Sequence, residues 1–260
     1  MPRKIARYGW IPDLPDNRDY ILRASPRALA RLPISVDLTT KCPPVYDQGE
    51  IGSCTANAIA GAIEFDQIKQ KLRGVFLPSR LFIYYNERVI EHTVDQDSGA
   101  MIRDGIKSVS SQGVCTEKIW PYDPDPFPGN TRLTKKPSAK CYREALKHTA
   151  VQYERVPRVL AHMKACLASG YPFVIGFTVY ESFESDDVAK SGVMPMPGPR
   201  EQVVGGHAVV AVGYDDKADR FRMRNSWGTD WGVKGYFTMP YAYLLNENLS
   251  DDFWKITWVK

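Results

Sequence analysis

The chain has 260 residues, 43% hydrophobic and 25% charged, which is ordinary material for one large globular unit or two lobes. Thirty-four basic residues against thirty acidic ones give a net charge of +4, and no Lys/Arg block accompanies it, so nucleic-acid binding by phosphate attraction is excluded. No stretch is long and apolar enough to span a membrane as a helix.

Residues 1–33 are rich in Pro, Arg and Asp and too poor in apolar residues to form a domain. Tyr8-Gly9-Trp10-Ile11-Pro12 runs straight into Asp13, without the apolar run of a secretory signal. The chain is therefore expected to stay in the cytoplasm, to leave by another route, or to have lost a signal. The segment reads as a flexible tail, a strap docked on the body, or a pro-segment of a zymogen. Docking is favoured because Tyr8, Trp10, Ile11, Leu14 and Tyr20 are costly to leave in water.

Residues 32–45 read as extended, with Pro43-Pro44 stiffening the approach to a turn at Asp47-Gln48-Gly49. From Ser53 to about Leu72 the pattern is helical, and small or apolar residues on nearly every face of its first half predict burial. Pro78-Ser79 opens a second helix, and Ser98-Gly99 is a break. A third helix carries Met101, Ile102, Ile106 and Val109 and ends at Gly113. Residues 120–137 form a proline-rich crossover.

After the crossover the pattern changes. Residues 159–169 read as a helix, and 172–180, 207–213, 220–224, 235–239 and 253–259 as strands. Residues 191–199 form a Met/Pro/Gly loop, either bordering a cleft or lying on the surface. A helical half before a strand-rich half is an α+β protein with two lobes.

Five cysteines are present, with no CxxC pair that would suggest zinc. Cys54 falls in the first turn of a helix, behind a loop containing Gly49 and Gly52. Unpaired N–H groups and the helix dipole favour a negative charge there, so a thiol ionises more easily. The other four, Cys42, Cys115, Cys141 and Cys166, are compatible with two disulfides or four thiols. A thiolate nucleophile needs a base, and the base an orienting group. Among the four histidines, His92, His148 and His162 sit in polar or amphipathic contexts, whereas His207 starts an apolar strand after Gly205-Gly206.

Four blocks in order carry a resemblance. They are Asp47-Gln48-Gly49, then Gly52-Ser53-Cys54, then Gly206-His207-Ala208-Val209, then Arg224-Asn225-Ser226-Trp227-Gly228. Together they resemble the papain family of cysteine peptidases over about residues 32–241. The N-terminal Gly-Trp-Ile-Pro-Asp run and Cys54-Thr55-Ala56-Asn57-Ala58 are most similar to a bacterial branch.

The resemblance implies a helical lobe, residues 34–125, carrying Cys54. A β-barrel-like lobe, residues 126–260, would carry His207 and Asn225, with a cleft between the two. It implies Cys54 as nucleophile, His207 as acid and base, Asn225 orienting the ring under Trp227, and Gln48 with the Cys54 N–H as oxyanion hole. Gly99 and the Gly206 carbonyl would pair with substrate backbone. Gly205 and Met101 would shape the pocket for the second residue before the scissile bond, apolar or basic.

The implied activity is a cysteine-type endopeptidase acting as a monomer on peptides or proteins. It would need no cofactor or metal, and engage neither nucleic acid nor membrane. The alternatives are a silent peptide-binding module and an acyl transferase to amines. Two departures stand inside the key stretch. Thr55 occupies a position where many members have Trp, and Ile51 one where many have a half-cystine.

Overall fold

A computed structural model describes residues 8–125, 128–129, 131–149 and 151–258. The chain starts with a two-residue strand, β1 (Trp10–Ile11), and a single helical turn, α1 (Pro26–Leu29), capped by the Ser25 hydroxyl accepting from the Ala28 N–H. A short strand β2 (Ser35–Asp37) follows, and a loop then leads into α2 (Cys54–Lys69). Every residue of α2 from Cys54 to Ile63 is buried, which is why its sequence shows no polar face.

Ser79 caps α3 (Arg80–Ile90), its hydroxyl accepting from the Phe82 N–H, as the Pro-Ser pair predicts. Strand β3 (Ala100–Met101) runs directly into α4 (Ile102–Gln112), and α4 stops at Gly113. There φ is +75°, and a Cβ would lie 1.8 Å from the Ala145 carbonyl, so only glycine fits.

The proline-rich crossover holds one short helix, α5 (Thr131–Thr134), and a second, α6 (Ala139–Ala145), follows it. Strand β4 (Val151–Arg155) then opens the second half, followed by α7 (Leu160–Ala168), β5 (Phe173–Tyr180) and α8 (Asp186–Ser191). The long strand β6 (Val203–Asp215) pairs with β7 (Arg220–Arg224), and β8 (Tyr236–Pro240), α9 (Tyr241–Leu245) and β9 (Ser250–Trp258) complete the chain.

The main sheet has seven strands in the order β4-β9-β5-β6-β7-β8, with β2 added antiparallel on β6. All its pairings are antiparallel. Helix α2 lies against β6 and β9, so its small residues are what lets a helix approach the sheet closely. One continuous core joins Ile59, Ile63 and Phe65 of α2 to Phe173, Val209 and Trp254 of the strands.

Two differences from the sequence pattern have physical reasons. The strand carrying His207 begins four residues earlier, at Val203, because Gly205 and Gly206 continue the pairing with Val179 and Thr178. His207 is thus inside a strand, not at its start. Strand β4 has the sequence VQYER, with mostly half-exposed positions, so its polar composition hid an edge strand.

Candidate active site

The loop between Asp47 and Ser53 is held from three sides. Gln48 is fully buried, its backbone N–H donates to the Ser226 carbonyl at 2.9 Å, and its side-chain oxygen accepts from the Ser226 hydroxyl at 2.7 Å. Its amide nitrogen donates to the Ile51 carbonyl at 2.9 Å. That uses one of two N–H donors and leaves the second for an incoming oxygen. The Gly52 N–H donates to both carboxylate oxygens of Asp97, at 3.1 and 3.0 Å. Asp97 also takes the Tyr84 hydroxyl at 2.5 Å, and that hydroxyl in turn accepts from the Gly99 N–H at 3.0 Å. A buried carboxylate thus ties the cysteine loop to the Gly99 strand, beside the Ile51 position where many family members carry a half-cystine.

Cys54 opens α2 and is fully buried. Backbone N–H groups of Ala208 and Gly9 point at its sulfur. Burial pushes its thiol up to about 12, and those N–H groups work against the shift. Ala208 is the residue after His207, so β6 brings the backbone of His207 up to the thiol.

His207 Nε2 lies 2.8 Å from Asn225 Oδ1, and the Asn225 oxygen also accepts from the Ser226 N–H. Nδ1 is buried and has no hydrogen-bond partner among the described residues. Trp227 covers the pair, its ring 4.9 Å from the imidazole. Burial depresses His207 to about 4, partly opposed by the Asn225 contact. A thiol pushed up and an imidazole pushed down form a neutral pair, Cys–SH and His, because desolvation penalises both charged forms.

The N-terminal strap adds to that burial, beside Trp227 and Phe177 of the body. Residues 10–11 add a parallel strand to residues 100–101, and the Gly9 carbonyl accepts from the Ala100 N–H at 2.7 Å. Gly9 sits so close to the loop that a Cβ there would lie 1.7 Å from the Gly52 carbonyl. A Cβ on Gly99 would lie 2.4 Å from the Gly9 carbonyl, and one on Gly205 2.5 Å from Tyr8. Tyr8 meets His207 edge-on at 6.0 Å and its hydroxyl donates to Glu184 at 2.6 Å. Trp10 fills the space over Gly176 and Gly206. Met101 is half-buried and its N–H is held by Glu91 at 2.7 Å.

The structure therefore gathers Gln48, Cys54, His207, Asn225 and Trp227 in one place, with Gly99, Gly205 and Gly206 lining the strap and Met101 paired to it. The other histidines lie elsewhere. His148 stacks on Phe76 at 4.3 Å, and His92 is a left-handed residue after α3. All five cysteines are free thiols, and no metal-holding cluster occurs among the described residues. The Met194 N–H donates to the Thr238 carbonyl of β8 and Arg220 donates to the Met194 carbonyl, which seats Met194 against that strand, while Met196 is exposed.

Two contributors were missed in the sequence: Asp97 and Glu87. Asp97 had a signal, an acid just before Ser98-Gly99. Glu87 is fully buried and accepts from the Thr55 hydroxyl at 2.7 Å, filling the place behind the nucleophile where many members have Trp.

A buried thiol at a helix N-terminus, next to an imidazole held by an amide, is the arrangement of a thiol hydrolase. Residues 32–248 match the family described as papain family cysteine protease. The chain belongs to that family and is a hydrolase. Its structure is similar to xylellain, a cysteine protease from Xylella fastidiosa, with 50% identity, a TM-score of 0.93, and 100% of this chain and 99% of that one covered. It is also 43% identical to a peptidase C1-like protein of Acanthamoeba polyphaga mimivirus, over 96% of this chain and 86% of that one. A cathepsin B-like protein of Giardia intestinalis is 33% identical over 75% of this chain, and the matched region spans 63% of its length.

Proposed function

We propose that the chain is an endopeptidase that cuts peptide bonds through a thioester on Cys54, and that residues 1–33 hold it in a latent state. The lobes are residues 34–125 and 126–260, and the working unit is a monomer. The observation that carries the catalytic reading is the buried contact of His207 with Asn225 beside the N-terminus of α2.

The steps follow from the groups. The Cys54 proton passes to His207 Nδ1, the ring nitrogen free to take it, and the thiolate attacks the carbonyl carbon. The second N–H of Gln48 and the Cys54 N–H meet the developing oxyanion. His207 gives its proton to the leaving amine, the C–N bond breaks, and a thioester remains. Water, deprotonated by His207, then releases the acid and restores the thiol. Asn225 keeps the ring aimed throughout, and Trp227 keeps water off that contact.

The strap reading rests on what covers the site. Gly9 and Tyr8 exclude water from Cys54 and His207, so the ion pair that starts the reaction is disfavoured while the strap is docked. Its withdrawal admits both solvent and substrate.

The test is labelling with an epoxysuccinyl thiol inhibitor alongside hydrolysis of a peptide mixture. The full chain, a chain starting at Leu32 and their Cys54→Ala versions are compared. Label and hydrolysis are expected only with Cys54 present, and both faster without residues 1–31. An accessible Cys54 that gives no adduct and no hydrolysis would refute the catalytic reading. Equal rates in the two chain lengths would refute latency alone.

A further inference from the structure

Arg80 opens α3 and is buried, yet no step above uses it. Each of its three side-chain nitrogens has an acceptor. Nε and Nη2 donate to the two oxygens of Glu117 at 2.9 and 2.6 Å. Nη1 donates to the Asp47 carbonyl at 3.2 Å and to Asn57 Oδ1 at 3.1 Å. The guanidinium carbon lies 3.8 Å from the centre of the Tyr122 ring.

These contacts converge on the loop that carries the two oxyanion donors. The Asn57 amide nitrogen donates to the Ser53 carbonyl at 2.9 Å and to the Ser53 hydroxyl at 3.0 Å. That hydroxyl meets the Tyr122 hydroxyl at 2.5 Å, and the Tyr122 hydroxyl donates to the Gln48 carbonyl at 2.9 Å. Donation runs in one direction, from Arg80 through Asn57, Ser53 and Tyr122 to Gln48. The carbonyls of Asp47, Gln48 and Ser53 are thereby held. The first two belong to the peptide groups on either side of Gln48. The third belongs to the peptide group whose N–H is that of Cys54.

Desolvation offsets much of the attraction in a buried ion pair, so Arg80 and Glu117 together add little net stability. What the pair fixes is geometry. A planar fork serves a carboxylate along one edge and two further acceptors through Nη1, whereas an ammonium cannot span them.

We infer that Arg80 is a positioning residue for the oxyanion hole: from behind the loop, one guanidinium sets the Gln48 side chain and the Cys54 N–H relative to each other. This rests on the peptidase reading above. In this role Arg80 acts on neither the Cys54 thiol nor the His207 ring, so its effect falls on the step in which the oxyanion forms. Displacing a donor weakens its bond without removing it, and costs less than the roughly hundredfold of losing the donor outright.

The experiment uses the full-length chain carrying Trp10→Ala, which removes the bond from the strap's indole N–H to Asp252 at 3.0 Å and so loosens the strap. Into it go Arg80→Lys, which keeps a charge opposite Glu117, and Asn57→Ala, which keeps Arg80 and Glu117 and suits a helix interior. Each is measured for kcat and KM on one peptide, and for alkylation of Cys54 by iodoacetamide, a displacement that forms no oxyanion. Arg80→Lys is expected to lower kcat about tenfold and Asn57→Ala severalfold, with KM and the alkylation rate within about twofold of the parent in both. Combined with Gln48→Ala, Arg80→Lys is expected to cost clearly less, because residues acting through one donor are not additive.

An unchanged kcat in Arg80→Lys or in Asn57→Ala would overturn the assignment, while hydrolysis itself leaves the peptidase reading standing. A fall in kcat that alkylation or KM follows in proportion marks a loosened fold and overturns it too, as does full additivity with Gln48→Ala. Should Arg80→Lys lose the native circular dichroism spectrum, Asn57→Ala decides by the same criteria. No hydrolysis by the Trp10→Ala chain, with Cys54 unalkylated, overturns both readings.

Discussion

At Gln48 a single side chain is asked to do two jobs. Its oxygen and one N–H fix the loop to Ser226 and Ile51, and the remaining N–H is the proposed donor to the oxyanion. Gln48→Ala is expected to lower kcat about a hundredfold or more, with KM little changed, because the donor acts where charge develops. Steady-state rates on one peptide, with folding checked by circular dichroism, decide it. A loss confined to KM would place Gln48 outside the oxyanion hole. Thr55 illustrates what one sequence could reveal at this scale. Its departure from Trp was legible, but its partner Glu87 was not, since nothing in α3 distinguishes a buried glutamate from the solvated one a helix surface normally shows.

The strap is the element whose behaviour depends most on pH. Burial, to which Tyr8 of the strap adds, holds His207 near 4, below its usual 6.5; the strap's share of that shift favours docking above pH 6.5 and is lost as pH falls toward 4. Asp252 works in the opposite sense. Burial, with the Asp13 carboxyl of the strap adding to it, raises it to about 7; the strap's share of that shift favours docking at acid pH and is lost as pH rises through 7. Between about pH 4 and 6.5 the two contributions oppose each other. Asp252→Asn removes one of them, and strap release on acidification from pH 6.5 to 4 is then expected, with little release in the parent. The Trp10 indole N–H resonance, which reports the bond to residue 252, measures it. An unchanged docked population in the variant would break the link.

Elements were legible where a pattern had one cause. Helix α2, helix α4 and strands β5 and β7 follow from small-residue, 3.6-residue, β-branched and alternating charged–apolar patterns within a few positions of their ends. Strand β4 and helix α6 were not, because their faces are set by partners far along the chain: β9 for the strand, and Tyr142 against Phe82 for the helix.

Over the whole molecule, sequence order placed Cys54 and His207 far apart, and only the motif blocks joined them. The contact of α2 with β6 is what makes the joining physical. The strap adds a third participant that composition flagged, through Tyr8 and Trp10, but could not aim. Its anchors are spread over both halves of the fold: Arg103 of α4 holds Asp19 at 2.7 Å and Trp254 of β9 donates to Asp13 at 2.8 Å, while Tyr20 and Leu22 bond to Arg155. Latency, as proposed above, would thus be a property of the assembled fold, not of the strap alone.

The tight passage at residue 9 carries a consequence for how such a chain can vary. There the backbone has no room for a methyl group, with Gly52, Gly99 and the strap pressed together. Gly9→Ala is expected to lift the strap and speed Cys54 labelling severalfold, while Cys54, His207, Asn225 and Gln48 stay as they are. Measured labelling equal to the parent would contradict this. A one-carbon change is therefore expected to act as a gain-of-function lesion, one that releases a peptidase whose catalytic groups are all left in place.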